Sequence, residues 1–160
     1  MQFHKSSLQY LKDLKKNNNR DWFAETKPTF KKAQDNAKEL YAIIRESLEK
    51  HDEIDKFKLF RIYRDVRFSK DKTPYKPHFA GSFSRKGKHL RGGYYLRIRP
   101  GESFLAGGFW EPNKEDLLRI RKEIEMDAAD FRDILKDPEF VKLFGNKFEG
   151  EELNDSILQY

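Results

Sequence analysis

The chain has 160 residues, no cysteine and a formal net charge of +6, with 38% charged and 14% aromatic residues. This length is read as one domain, residues 1–160, able to bury a real core, and the aromatic content argues against a disordered chain. The missing cysteines exclude disulfides, thiolate catalysis and cysteine-based zinc sites. No apolar run approaches bilayer length, and the opening Met1-Gln2-Phe3-His4-Lys5 lacks the apolar stretch of a secretory signal, so a cytoplasmic protein is expected.

In chain order, Ser6 or Ser7 is read as the cap of a short helix carrying Leu8, Leu11 and Leu14 on one face, and Asn17-Asn18-Asn19 as its stop. Trp22 and Phe23 are expected to wedge between helices, with ligand stacking by Trp22 as the alternative. A second helix is expected from about Pro28. There Phe30, Ala33, Ala37, Leu40, Ile44 and Leu48 recur at three- and four-residue steps and form a core-facing stripe. The charged run 51–58 then leads to a short strand over residues 59–63.

Residues 61–76 are the densest chemical signal. They hold three Arg, three Lys and two Asp, with Tyr63, Phe68 and Tyr75 among them. Guanidinium groups beside aromatic faces suit bidentate contact with carboxylate or phosphate, although an internal ion-pair network with core aromatics has the same composition. Residues 78–85 alternate weakly. Residues 93–99 alternate cleanly, with Tyr94, Leu96 and Ile98 facing one way and Tyr95, Arg97 and Arg99 the other. Pro100-Gly101 is a turn, residues 103–110 form a fourth strand, and the short link makes the last two strands an antiparallel hairpin. Gly107-Gly108 inside that strand suggests a bulge or the close approach of another backbone or ligand. Asn113 is the expected cap of a helix whose buried face carries Leu117, Ile120 and Ile124. Helices around 128–135 and from Pro138 to a stop at Gly145 follow, then an acidic tail from residue 149.

Helices, then strands, then helices predict an α+β fold: an antiparallel sheet of about four strands flanked by N-terminal and C-terminal helices. The charge is uneven. Residues 56–99 hold 14 Lys or Arg against 2 Asp or Glu, a local +12, while the remainder holds 19 against 25, a balance of −6. A basic middle in an acidic frame points to an anionic partner, or to neutralisation by acidic helices.

Several segments together resemble one family. Asn18-Asn19-Arg20-Asp21-Trp22-Phe23 matches an Asn-Asn-x-x-Trp-Phe start. Residues 64–76 match Arg-Asp-x-Arg-Phe-Ser-Lys-Asp-Lys-x-Pro-Tyr-Lys. Tyr94-Tyr95-Leu96, the Gly-Gly-x-Trp of Gly107, Gly108 and Trp110, and Ile120-Arg121 follow in order. The chain resembles the bacterial and fungal family called domain of unknown function 2461 over roughly residues 8–150. The resemblance carries over no established activity, and it leaves any cofactor unknown. It also implies a C-terminal extension, often with Pro-x-Gly-Phe and Asp-His-Pro, that this chain lacks, so a shortened chain is expected.

The four histidines (4, 51, 78 and 89) have no HExxH or HxH spacing, which disfavours a metal centre. There is no Gly-x-Ser-x-Gly elbow, no Walker loop around residues 84–88, and no nucleophile or base that declares itself, so whether the chain is an enzyme stays open. The candidate ligand-binding residues are Arg61, Arg64, Asp65, Arg67, Ser69, Lys70, Asp71, Lys72, Tyr75, Lys76, Tyr95, Arg97, Trp110 and Arg121. Three readings compete. One is a pocket that clamps a phosphorylated or carboxylated small molecule, with Tyr75, Tyr95 or Trp110 stacking on it. A second is a nucleic-acid-binding sheet face carrying Tyr95, Arg97 and Arg99. The third is a structural or interaction domain whose signature is an internal ion-pair scaffold.

Overall fold

A computed structural model describes residues 3–87 and 89–145. The chain divides between Trp110 and Glu111 into two compact units. The first holds helices α1 (Lys5–Lys16), α2 (Arg20–Glu25) and α3 (Lys27–Leu48), then strands β1 (Ile54–Leu59), β2 (Phe79–Arg85), β3 (Gly93–Ile98) and β4 (Phe104–Gly108). The second holds α4 (Lys114–Met126), α5 (Ala129–Lys136) and α6 (Pro138–Phe144). The fold is α+β, with helices before and after a four-stranded antiparallel sheet of order β1-β2-β3-β4. Among the described residues, no helix is long and apolar enough to cross a membrane.

Helix α1 buries Ser7, Tyr10, Leu11 and Leu14, one face at three- and four-residue spacing. It begins one turn earlier than its serines suggest. His4 is the N-cap residue and makes no side-chain cap bond, while Ser7 lies inside the helix and donates to Asn36 Oδ1 of α3 at 3.1 Å. A hydroxyl expected to start a helix instead joins two of them. Asn17 ends α1, and Asn19 caps α2 by accepting from the Trp22 amide at 2.9 Å. Pro28 sits in the first turn of α3, where its missing N–H costs nothing.

Helix α3 lies on one face of the sheet and buries Ala33, Ala37 and Tyr41. The Tyr41 ring stacks on Phe57 of β1 and Phe83 of β2, with centroids at 5.4 and 5.9 Å, and its hydroxyl donates to the Leu96 carbonyl of β3 at 2.8 Å. Gly81 makes this possible, because a Cβ there would stand 2.8 Å from the Tyr41 ring and 2.8 Å from the Lys58 carbonyl oxygen. Cross-strand pairing puts Phe79, Gly81 and Phe83 opposite Ile98, Leu96 and Tyr94, so these six share the helix-covered face. The other face carries Ala80 and Ser82 opposite Arg97 and Tyr95, with Phe104 opposite Arg97 on the far side.

The first strand meets the expected 59–63 segment only at Leu59. It occupies 54–59, inside the charged run, with Ile54 buried and Phe57 half-buried against the core while Asp55, Lys56 and Lys58 are exposed. A register shift between Ile54 and Lys56 breaks the two-residue alternation that would have marked it. In the second unit Asn113 caps α4 as expected, accepting from the Asp116 amide at 2.9 Å. Ile120 and Ile124, expected on its buried face, are exposed. The acidic tail expected from residue 149 lies wholly outside the described residues, which end at 145.

Candidate functional site

Residues 61–76 form a loop whose two ends return to each other. Arg64 N donates to Pro74 O at 2.9 Å and Lys76 N to Ile62 O at 2.8 Å, flanking an antiparallel bridge between Tyr63 and Tyr75. In this pattern the central pair exchanges no hydrogen bond, so the N–H and C=O of Tyr75 point away from Tyr63. Asn18 meets both groups. Its Nδ2 donates to Tyr75 O at 2.9 Å and its Oδ1 accepts from Tyr75 N at 3.0 Å, so one side-chain amide stands where a neighbouring strand would. The Tyr75 ring is 5% exposed and stacks on Phe23 with centroids 4.0 Å apart. The Asn-Asn-x-x-Trp-Phe segment and the 64–76 signature are therefore two halves of one packed junction.

Within the loop most of the charge is matched. Arg64 donates to Asp71 Oδ2, to Thr73 Oγ1 and, at 3.4 Å, to Ser69 Oγ. The Arg64 hydrogen bond holds the Asp71 carboxyl down to about 2. Arg67 grips Asp65 through both oxygens, at 3.0 and 2.6 Å, and this bond likewise lowers the Asp65 pKa. Lys72 Nζ donates to the Val66 carbonyl at 2.9 Å. Arg61 and Lys70 are exposed, and Arg61 acts on Asp65 through its charge.

The remaining candidates part company. Tyr75, expected as a stacking platform, has its ring in the core against Phe23, which leaves no free face for a ligand. Trp110 is 86% exposed at the end of the first unit, and Arg121 is an exposed residue of α4 in the second. Lys76 and Arg97, by contrast, act through their charges on His78 in the first unit, and Tyr95 packs on Phe104 of β4. The charges of Arg97, Lys76, Arg99 and Glu102 all reach that imidazole. Burial first, and then these cations, press its pKa down to about 4, so the ring is neutral at pH 7.

Two buried atoms of this cluster, His78 Nδ1 and Arg97 Nε, have no hydrogen-bond partner among the described residues. Such atoms are uncommon in folded proteins and call for an explanation. Arg97 lies 4.5 Å above the Phe104 ring and 4.0 Å from Glu102, and Arg99 is 3.0 Å from the same carboxylate. Two arginines thus share one carboxylate, and Lys76 adds a third positive charge that reaches His78. Tyr95 lies beside them, between Phe60 and Phe104, with ring centroids at 6.3 and 5.5 Å. His78 and Phe104 were not among the sequence candidates. The strand alternation that put Arg97 and Arg99 on one face was the available signal, but the pairing of β2 with β3 was needed to bring His78 to them.

The fold is that of an α+β protein with a helix-backed antiparallel meander, whose sheet face opposite α3 carries Tyr95, Arg97 and Phe104. Comparison with family models places it further: the model described as conserved hypothetical protein (DUF2461) matches residues 6–160, and the chain belongs to that family. No curated protein and no solved structure matches the chain.

Proposed function

We propose that the protein is a binding module that holds an anionic ligand, through a phosphate or carboxylate group, against Lys76, His78, Arg97 and Arg99. One observation carries this reading: two buried nitrogens, His78 Nδ1 and Arg97 Nε, lack partners among the described residues, amid an excess of positive charge. An anion there would accept from Arg97 and from a His78 ring that gains a proton. Cost turns into gain, since the cations that now oppose protonation of His78 would be offset by the ligand. The flanking rings of Tyr95 and Phe104 offer apolar surface to the rest of the ligand.

A second reading applies to the neighbouring loop. The pairing of Arg64 with Asp71, Arg67 with Asp65 and Lys72 with backbone carbonyls supports a scaffold role for residues 64–72, which would hold Lys76 in place rather than touch ligand. The test is a titration of protein carrying labelled histidine with inorganic phosphate and with citrate, followed by NMR. The expected result is a selective shift of the His78 ring, with its pKa moving up from about 4, and loss of that shift in Arg97→Gln. A His78 ring unmoved by millimolar amounts of either anion would overturn the reading.

A further inference from the structure

A cleft of about 650 Å³ opens in the first unit between α1 and the β3–β4 turn. Leu11 and Pro100 are among its apolar walls, and Lys12, Lys15, Lys16 and Arg99 supply its charge. Among the described residues, no carboxylate lines it. The one acid on α1, Asp13, accepts instead from Gln9 at 2.9 Å. Lys15 and Lys16 in the last turn complement the helix dipole, which accounts for a preference for positive charge there. It does not account for Lys12 a turn earlier, nor for an arginine brought to the same cleft from the sheet. Arg99 belongs to both places, since it lines this cleft and its charge also reaches His78. Arg99 is thus the residue that the cleft and the sheet-face cluster share.

We infer that the ligand is a single-stranded nucleic acid, with phosphates spaced along the cleft and the Arg97–Arg99 cluster and a base against Tyr95 and Phe104. This rests on the anion-binding reading above and names the ligand class of that site. A lone anionic group would need one cationic pocket, whereas cations in two places that share Arg99 match a ligand whose charge repeats along a chain. Phe104 is 42% exposed and Tyr95 half-buried, so aromatic surface is available next to the cations, and stacking on such surface tolerates any base. A duplex keeps its bases stacked inside and gains nothing from these rings.

The experiment is fluorescence anisotropy of the full chain with a labelled single strand of about 10 nucleotides, a duplex of the same sequence and a mononucleotide, with the His78 ring followed by NMR in parallel. With about four phosphates neutralised, affinity for the strand should fall about 50-fold between about 50 and 200 mM salt, a logarithmic slope near −2.8. The double variant K15Q/K16Q should make that slope shallower by about 1.4 while leaving the response of His78 to inorganic phosphate intact. The duplex should bind more weakly than the strand. If the strand binds no tighter than the mononucleotide, if K15Q/K16Q changes nothing, or if the strand leaves the His78 ring unmoved, the inference is overturned. A phosphate response at His78 that survives such a failure keeps the anion-binding reading; its absence removes that reading first.

Discussion

Replacing Asn18 with alanine tests the junction on which the signature loop is built. The perturbation removes two hydrogen bonds, at 2.9 and 3.0 Å, to the backbone of Tyr75. It adds no bulk and leaves the Asn19 cap of α2 untouched. The N–H and C=O of Tyr75 face away from Tyr63, so the loop cannot re-pair them internally. Each group left without a partner costs about 1–3 kcal/mol, and Asn18 is itself half-buried, so water recovers part of this; we expect a loss of about 2–4 kcal/mol. That is a large share of a domain stability of about 5–15 kcal/mol. Urea unfolding followed by circular dichroism gives the magnitude, and hydrogen exchange at the Tyr75 amide gives the location. Asn18→Asp should cost at least as much, because it retains the acceptor for Tyr75 N–H but sets a carboxylate against the Tyr75 carbonyl. A loss below about 0.5 kcal/mol with an unchanged denaturant slope, or a Tyr75 amide as protected as before, would refute the strand-substitute role of Asn18.

Three other changes bear on the same framework. Gly81→Ala should destabilise by about 1–3 kcal/mol in thermal or urea unfolding, because the new methyl meets both the Tyr41 ring and the Lys58 carbonyl oxygen; a neutral result would mean that α3 shifts freely on the sheet. Arg64→Lys should loosen residues 64–73 in hydrogen exchange, since an ammonium cannot reach Asp71, Thr73 and Ser69 in the same planar arrangement, and it should leave the phosphate response of His78 in place; loss of that response would move Arg64 into the site. His78 has a folded pKa of about 4 against the ordinary imidazole value of 6.5, so the unfolded chain takes up the proton first as pH falls. Stability should therefore drop between about pH 6.5 and 4, by about 1–2 kcal/mol once partial solvent screening is allowed for, and His78→Gln should flatten that part of the profile.

The order of elements was legible because each announces itself locally. Pro28 opens α3, Asn113 caps α4, Pro100-Gly101 joins β3 to β4, and the alternation of residues 94–99 sorts β3 into two faces. The misplaced elements failed for reasons that are also local. Ile54 and Phe57 are the apolar marks of β1 in a run of charges, and a register shift takes them out of phase. Ser7 obeys the demand of Asn36, which is 29 residues away in sequence and adjacent in space, rather than the capping preference of its type. The amphipathic pattern of α4 marked Ile120 and Ile124 for burial, yet both stay exposed, so periodicity alone did not decide what covers them.

The candidate site shows a sharper divide. Composition alone marks residues 61–76 as a place where cations and aromatics gather, but it cannot say which charges are already matched. Arg67 and Asp65 stand two residues apart and close on each other, Arg64 reaches seven residues to Asp71, and Lys72 turns back to a carbonyl. Each such pair removes a cation from the set available to a ligand. Lys76, at the end of the same stretch, acts through its charge on His78, as do Arg97 and Arg99, which share the one carboxylate of Glu102. A stretch dense in charge is thus in large part its own counter-ion, and sheet pairing brings Arg97 and Arg99 to His78 from about twenty positions away in the sequence. The Asn18 junction fits the same logic: it fixes Tyr75, and with it the position from which Lys76 enters the sheet face.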